Sequence, residues 1–400
     1  MKHRLLSLLF LLLIGQYAHG ESSHYTVVIS LDGYRWDYPQ WYDTPFMDSL
    51  EAHGVASGLI PSYPSKTFPN HITMATGLYP DHHGIIANTF YDPQKDLYFS
   101  LKNKEQKTNP AFYGGEPIWV TAQKQGLRTT VLYWAGSDVK LCGRYPDRYW
   151  SYETKPRMSN GARLQAVIDE LKRPESERPH LIMAYLDQPD ASGHLFGPQS
   201  KHTRKVVERI DSMLTDMHAG LKQLPIAGRI NLLIVSDHGM TWVAKDHVIT
   251  FKERLKDAWI KMIDGNVPAN IYVNAGCRDS VYHALQGLPH AQVWKKETVP
   301  AYLHFGSNPH VGDIVVNPDL GYYISETPID AGGTHGYDPQ LQDMHAIFRA
   351  TGPDFCTGSL PHFPNVDLYP LLCRLLRIQP EPNDGKVPGG MLAPQAGLGH

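Results

Sequence analysis

The chain has 400 residues, 42% of them hydrophobic, enough to bury a large core in one big domain or in one domain carrying an inserted cap. With 37 basic and 40 acidic side chains the formal net charge is −3, which excludes a sequence-independent binder of duplex nucleic acid, since that needs a basic surface. A small anionic substrate, whose charge is met locally, stays open.

Residues 1–20, "MKHRLLSLLFLLLIGQYAHG", carry a basic head, an apolar run from Leu5 to Ile14 and small residues at Ala18 and Gly20. This is read as a signal peptide, so the expected mature chain begins near Glu21 and has no transmembrane anchor after cleavage. Its destination is then the periplasm or the medium. In such an oxidising compartment Cys142, Cys277, Cys356 and Cys373 suit two disulfides, with Cys356–Cys373 the first candidate pair and free thiols the alternative. No C-x-x-C spacing points to a cysteine zinc site.

"HYTVVISLD" predicts a strand ending at Asp32, and "TPFMDSLEAHG" a helix after it. "SKTFPNH" (65–71) predicts a helix start, because proline is tolerated in a first turn whose N–H groups lack intrahelical partners. That helix should end at Gly77, with Thr67 as its N-cap at the positive end of the dipole, where an anion is welcome. "LRTTVLYWAG" and "HLIMAYLDQPD" predict strands. Val206, Ile210, Met213, Leu214, Met217 and Leu221 recur at helical spacing, so those methionines belong to a core face. "RINLLIVSDHG" and "DMHAIFRATGP" predict further strands, and "NVDLYPLLCRLLRI" a closing helix. Near-continuous apolar strands alternating with helices predict an α/β fold with a mostly parallel central sheet flanked by helices. Residues 250–326, rich in short strands, Gly, Pro and His, are expected as a smaller α+β insertion or cap. The catalytic domain is then 21–385 and residues 386–400 a flexible tail.

Three apolar strands discharge into acids at their carboxyl ends: Asp32, then Asp187 and Asp190, then Asp237. In an open α/β sheet those ends gather at one edge, where ligands bind. Carboxylates converging there repel one another and are costly without a cation. His194, His238 and His335 accompany them, and an Asp/His ligand set suits zinc or a similar divalent ion. Six or seven candidate ligands are too many for one tetrahedral ion. The negative charges of Asp32, Asp190, Asp237 and a Thr67 alkoxide balance two divalent ions.

"SLDGYRWDY" (30–38), "KTFPNHITMATGLYPDHHGIIANTFYDP" (66–93), "PDASGHLFGP" (189–198), "SDHGM" (236–240) and "GTHGYDP" (333–339) resemble the nucleotide pyrophosphatase/phosphodiesterase family of the alkaline phosphatase superfamily. The likeness runs from about His24 to Asp384. It implies an alkaline-phosphatase-like fold with two zinc ions per chain, one on Asp32, Thr67, Asp237 and His238, the other on Asp190, His194 and His335. It also implies Thr67 as nucleophile, and Asn88 donating to a non-bridging phosphate oxygen together with the Phe68 N–H. An aromatic nucleotide slot maps onto Phe68 and Tyr152, with Tyr185 nearby. Two departures touch substrate contacts: "WAGSD" (134–138) stands where the family often has Trp-Pro-Gly-Ser-Asp, and Asp187-Gln188 where it has an acidic pair.

The expected activity is that of an exported two-zinc phosphodiesterase I or nucleotide pyrophosphatase using a covalent phospho-threonine, with small nucleotide diesters or pyrophosphates as partners. Alternatives are a diesterase for choline-phosphate or lysophospholipid-type substrates, a phosphomonoesterase, or a non-catalytic metal-binding protein. The motifs around Thr67 contain no arginine for the extra charge of a monoester. His71, His82 and His83 are expected to orient the Thr67 helix or to lie on the surface, and Lys66 to be solvated.

Overall fold

The computed structural model describes residues 24–394. The leader expected at 1–20 therefore lies outside the described residues. The central sheet is built from β1 (Tyr25–Leu31), β2 (Val55–Ile60), β3 (Thr129–Leu132), β4 (Arg148–Trp150), β5 (Leu181–Leu186), β6 (Ile230–Val235) and β7 (Ala346–Thr351). Their spatial order is β2-β7-β6-β1-β5-β3-β4, with short strands at Gly358–Ser359 and Phe363–Pro364 both paired to β2. Pairing is parallel except at β7, which runs antiparallel to both β2 and β6. The sheet is thus mixed, and the single reversed strand leaves β2 pointing the same way as β6, β1 and β5.

Both faces of the sheet are covered, which is why its inner strands read as unbroken apolar runs. Every residue of β1, β5 and β6 is buried. Helices α1 (Pro45–His53), α2 (Thr67–Thr76), α3 (Asn160–Leu171), α4 (Asp190–Phe196), α5 (Lys201–Lys222) and α6 (Leu368–Leu376) flank it. On α5 the buried stripe is Val207, Ile210, Leu214, Met217 and Leu221, while Val206 and Met213 pack at its margin. Each such side chain contributes about 1.5–3 kcal/mol of transfer free energy when fully buried.

Helix α2 starts one residue earlier than expected: Lys66 is its N-cap, in extended backbone, and Thr67 is the first helical residue. It ends as expected at Gly77, whose φ of +68° is the left-handed cap conformation glycine adopts without a Cβ penalty.

Residues 260–318 form a separate four-stranded antiparallel sheet with one helix, Arg278–Leu285, over their own apolar cluster around Ile271, Val281, Leu285 and Ile314. Residues 386–394, the described part of the expected loose tail, are tied down. Met391 is fully buried, its carbonyl accepts from Cys356 N at 3.0 Å, and Ala393 N donates to Asp354 O at 2.9 Å. All four cysteines are free thiols; Cys373 is buried, Cys277 and Cys356 partly so, and Cys142 exposed. The expected disulfides are absent among the described residues.

Candidate active site

Strands β6, β1 and β5 are immediate neighbours, so the acids at their carboxyl ends, Asp237, Asp32 and Asp190, are delivered to one rim. Strand β2 runs the same way and hands Thr67 to that rim at the start of α2. Antiparallel pairing of Thr241–Val243 with Gly332–Thr334 brings His335 to the same place, nearly 100 residues after His238. Gly333 permits this approach, since a Cβ there would lie 2.3 Å from the Gly193 carbonyl of α4.

The Thr67 hydroxyl lies 3.1 Å from His238 Nε2 and 3.5 Å from Asp32 Oδ1. Asp190, His194 and His335 form one cluster of potential ligand atoms, and Asp32, Asp190 and His238 a second, so Asp190 stands between the two groups. Asp237 is held by Gly33 N at 3.1 Å and faces His238 Nε2 at 3.1 Å.

The three histidines share one feature. Each places Nδ1 on a backbone carbonyl: His238 on Gly239 at 2.8 Å, His335 on Ser65 at 2.7 Å, and His194 on Gly333 at 2.7 Å. A carbonyl only accepts, so Nδ1 carries the proton and Nε2 presents a lone pair. Those lone pairs face carboxylate oxygens: His194 Nε2 lies 3.3 Å and His335 Nε2 3.7 Å from Asp190 Oδ1. Acceptor facing acceptor in a buried site is repulsive. Asp190 Oδ1 and Asp237 Oδ2 are also buried without a hydrogen-bond donor. A divalent cation between them removes both faults, and pinning the second ring nitrogen is how histidine ligands are oriented. The residues present therefore fit such a group.

Charges follow the same crowding. Burial, then repulsion from Asp237 and Asp190, pushes Asp32 well above the carboxylate range, and burial also raises Asp190.

Asn88 reaches the site differently from expectation. Its Oδ1 accepts from Phe68 N at 3.1 Å, so the Phe68 N–H is occupied, and Asn88 Nδ2 has no partner among the described residues. Lys66 is not solvated: it is half-buried, its ammonium donates to the His335 carbonyl at 2.6 Å, and burial lowers its pKa to about 8. His71 is buried between Ser30 Oγ at 2.9 Å and the Thr67 carbonyl at 2.8 Å. His82, by contrast, is exposed and pairs with Asp384 at 2.6 Å. Asp187 is drawn toward α3 by Asn160 at 3.0 Å and Arg163 at 3.6 Å.

Beside Thr67 opens a cavity of about 500 Å³ lined by Phe68, Tyr152 and Tyr185 among others. The Tyr185 hydroxyl donates to Asp32 Oδ2, so that side chain braces the carboxylate while its ring lines the cavity. Burial raises the Tyr152 hydroxyl to about 12, so it stays neutral. Sequence reasoning missed Lys102, Lys107 and Arg157, which also line this cavity. They come from segments outside the quoted motifs, and their spacing carries no signal.

Residues 26–338 match the family model described as type I phosphodiesterase / nucleotide pyrophosphatase. The chain is 37% identical, over 90% of its length, to human ectonucleotide pyrophosphatase/phosphodiesterase family member 1, and 33% identical over 90% to venom phosphodiesterase CdcPDE of Crotalus durissus collilineatus. It spans 40% and 45% of the lengths of those relatives. Among solved structures, human ectonucleotide pyrophosphatase / phosphodiesterase 5 superposes with a TM-score of 0.86 at 34% identity, covering 91% of this chain and 97% of that one. An inactive variant of the murine protein 5, in complex with AMP, gives the same score and identity over 91% and 98%.

Proposed function

The chain belongs to the type I phosphodiesterase / nucleotide pyrophosphatase family, and from that premise we propose that it is an exported two-zinc hydrolase cleaving phosphodiester or phosphoanhydride bonds of small nucleotides through a phospho-threonine. Asp32, Thr67, Asp237 and His238 would hold one ion, and Asp190, His194 and His335 the other. When bound, the ions supply positive charge that lowers the pKa of the Thr67 hydroxyl and offsets charge on the reacting phosphate.

Thr67 gives up its proton to solvent and attacks phosphorus in line. A bond from Oγ1 to phosphorus forms as the bond to the departing alcohol or nucleoside phosphate breaks. Asn88 Nδ2 stabilises the non-bridging oxygens. Phe68 and Tyr152 hold the retained nucleoside by stacking. Tyr185 keeps Asp32 oriented. Water then enters from the side the leaving group vacated, cleaves the phospho-threonine and restores the hydroxyl.

One observation carries this reading: buried carboxylate oxygens of Asp190 and Asp237 without donors, facing imidazole lone pairs beside a threonine hydroxyl. Export is supported by the leader-like residues 1–20, and by relatives whose names describe ecto-enzymes and a venom enzyme. Among the described residues no helix is long and apolar enough to cross a membrane.

The test compares four p-nitrophenyl substrates: the thymidine 5′-ester, the bis-ester, the monoester and the phosphocholine ester. The thymidine 5′-ester should show the highest kcat/KM. Fastest turnover of the monoester or of the phosphocholine ester would replace the nucleotide reading.

A further inference from the structure

The cavity beside Thr67 carries three cations, and they are not equivalent. Lys107 is neutralised twice, by Asp138 at 3.2 Å and Glu153 at 3.6 Å. Lys102 and Arg157 have no carboxylate within ion-pairing distance among the described residues, and both are exposed where they line the cavity. Arg157 is pre-positioned: its Nε donates to the Tyr152 carbonyl at 2.8 Å and its guanidinium lies 5.4 Å from the Tyr152 ring centroid, leaving the terminal nitrogens for a ligand. Lys102 is placed at the cavity by its neighbours in the chain. Leu101 N donates to the Asn88 carbonyl at 3.3 Å, and Phe99, three residues before Lys102, has its ring 5.9 Å from that of Phe68.

Two free cations thus flank an aromatic slot whose inner end is the nucleophile. Phe68 and Tyr152, the stacking pair assigned above to the retained nucleoside, line this cavity with Thr67, so the retained half of the substrate occupies the slot. Resting on the nucleotide reading above, we propose that Lys102 and Arg157 form a subsite for a second phosphate on the retained nucleoside, carried on its ribose 2′ or 3′ oxygen. A guanidinium fork meets such a dianion through two parallel hydrogen bonds, and the lysine adds a point charge.

The experiment measures inhibition of thymidine 5′-p-nitrophenyl ester hydrolysis by AMP, adenosine 2′,5′-bisphosphate and adenosine 3′,5′-bisphosphate, at fixed ionic strength. One bisphosphate should bind about tenfold more tightly than AMP, the ratio expected of a charge-assisted hydrogen bond. Which one does so assigns the ribose position. K102S and R157S should each erode the bisphosphate-to-AMP ratio, and the double variant should abolish it. Reading a ratio cancels any general effect on the cavity. Two bisphosphates no tighter than AMP, or a preference surviving in the double variant, overturn the subsite while leaving the nucleotide reading intact. Failure of AMP itself to inhibit overturns both.

Discussion

Helix α2 has two buried polar faces, and they are built on opposite rules. Behind it, Asn70 is completely satisfied. Its Nδ2 donates to the carbonyls of Lys66, Pro64 and Ser62 at 2.8, 3.0 and 3.3 Å, and its Oδ1 accepts from Ser62 N and Asn365 Nδ2, both at 2.7 Å. In front, at the Thr67 end, Asp190 Oδ1 and Asp237 Oδ2 find no donor among the described residues. A buried polar group without a partner is expensive, so a chain that satisfies one face and not the other leaves the second to something it must bind. The rear network fixes where α2 sits, and the front spends that rigidity on chemistry.

The sharpest way to break this contrast is to withdraw the ions. Chelation should take activity below about one percent, because the charge that lowers the threonine pKa is gone. It should also lower Tm, because the front face then retains unbalanced acids. Zinc should restore both, at two ions per chain by atomic absorption. A protein that keeps its turnover after exhaustive chelation refutes the two-ion site. Thr67→Ala comes next. It should reduce kcat by roughly 10⁴-fold or more, as loss of a nucleophile does in other covalent hydrolases, while the thermal transition barely moves.

Asn70→Ala attacks the rear instead. It removes five hydrogen bonds and strands the Ser62 N–H, the Ser62 carbonyl and the Asn365 amide in a buried site, while the Pro64 and Lys66 carbonyls keep backbone donors, so a loss of about 2–4 kcal/mol is expected in urea denaturation. Surviving molecules should retain much of their kcat. If Asn70→Ala instead kills turnover at unchanged stability, the division of labour across α2 is wrong.

Much of the front was legible because it is periodic with the fold. Acids end β1, β5 and β6, and parallel neighbours share an edge, so Asp32, Asp190 and Asp237 were bound to meet. Thr67 was visible through the proline and glycine that frame α2. The rear was not legible: Asn70 and Asn365 are 295 residues apart, and an asparagine inside a helix carries no mark of its partner. Nor was the inward turn of Lys66, which depends on a carbonyl 269 residues away. Lys102 and Arg157 escaped notice for the same reason, since loops bring them to the cavity wall. The α2 cap was misplaced by one residue because Thr67 has the chemistry of a cap, yet its backbone is already helical.

The smallest predicted effect tests the rear face by pH. His83 is buried at the back of α2, where Ile85 N donates to its Nδ1 at 3.2 Å and its Nε2 lies 3.0 Å from Thr73 Oγ1. Since Nδ1 accepts, the proton sits on Nε2 and is donated to Thr73, and a second proton at Nδ1 would destroy the bond from Ile85. Burial accordingly lowers the His83 pKa to about 3. With the unfolded value near 6.5, the unfolded chain binds more protons between about pH 3 and 6.5. The stability this neutral ring contributes is therefore complete above pH 6.5 and is lost as pH falls through that window, by at most about 1.4 kcal/mol per pH unit. His83→Gln removes the titration while keeping a donor for Thr73. At saturating zinc, its urea-denaturation stability should decline less steeply than that of the parent between pH 6.5 and 5. His345, which burial lowers to about 4, titrates in both proteins and cancels in the difference. Parallel curves would mean that His83 is charged in the folded state, and that the back of α2 also carries an unmet charge.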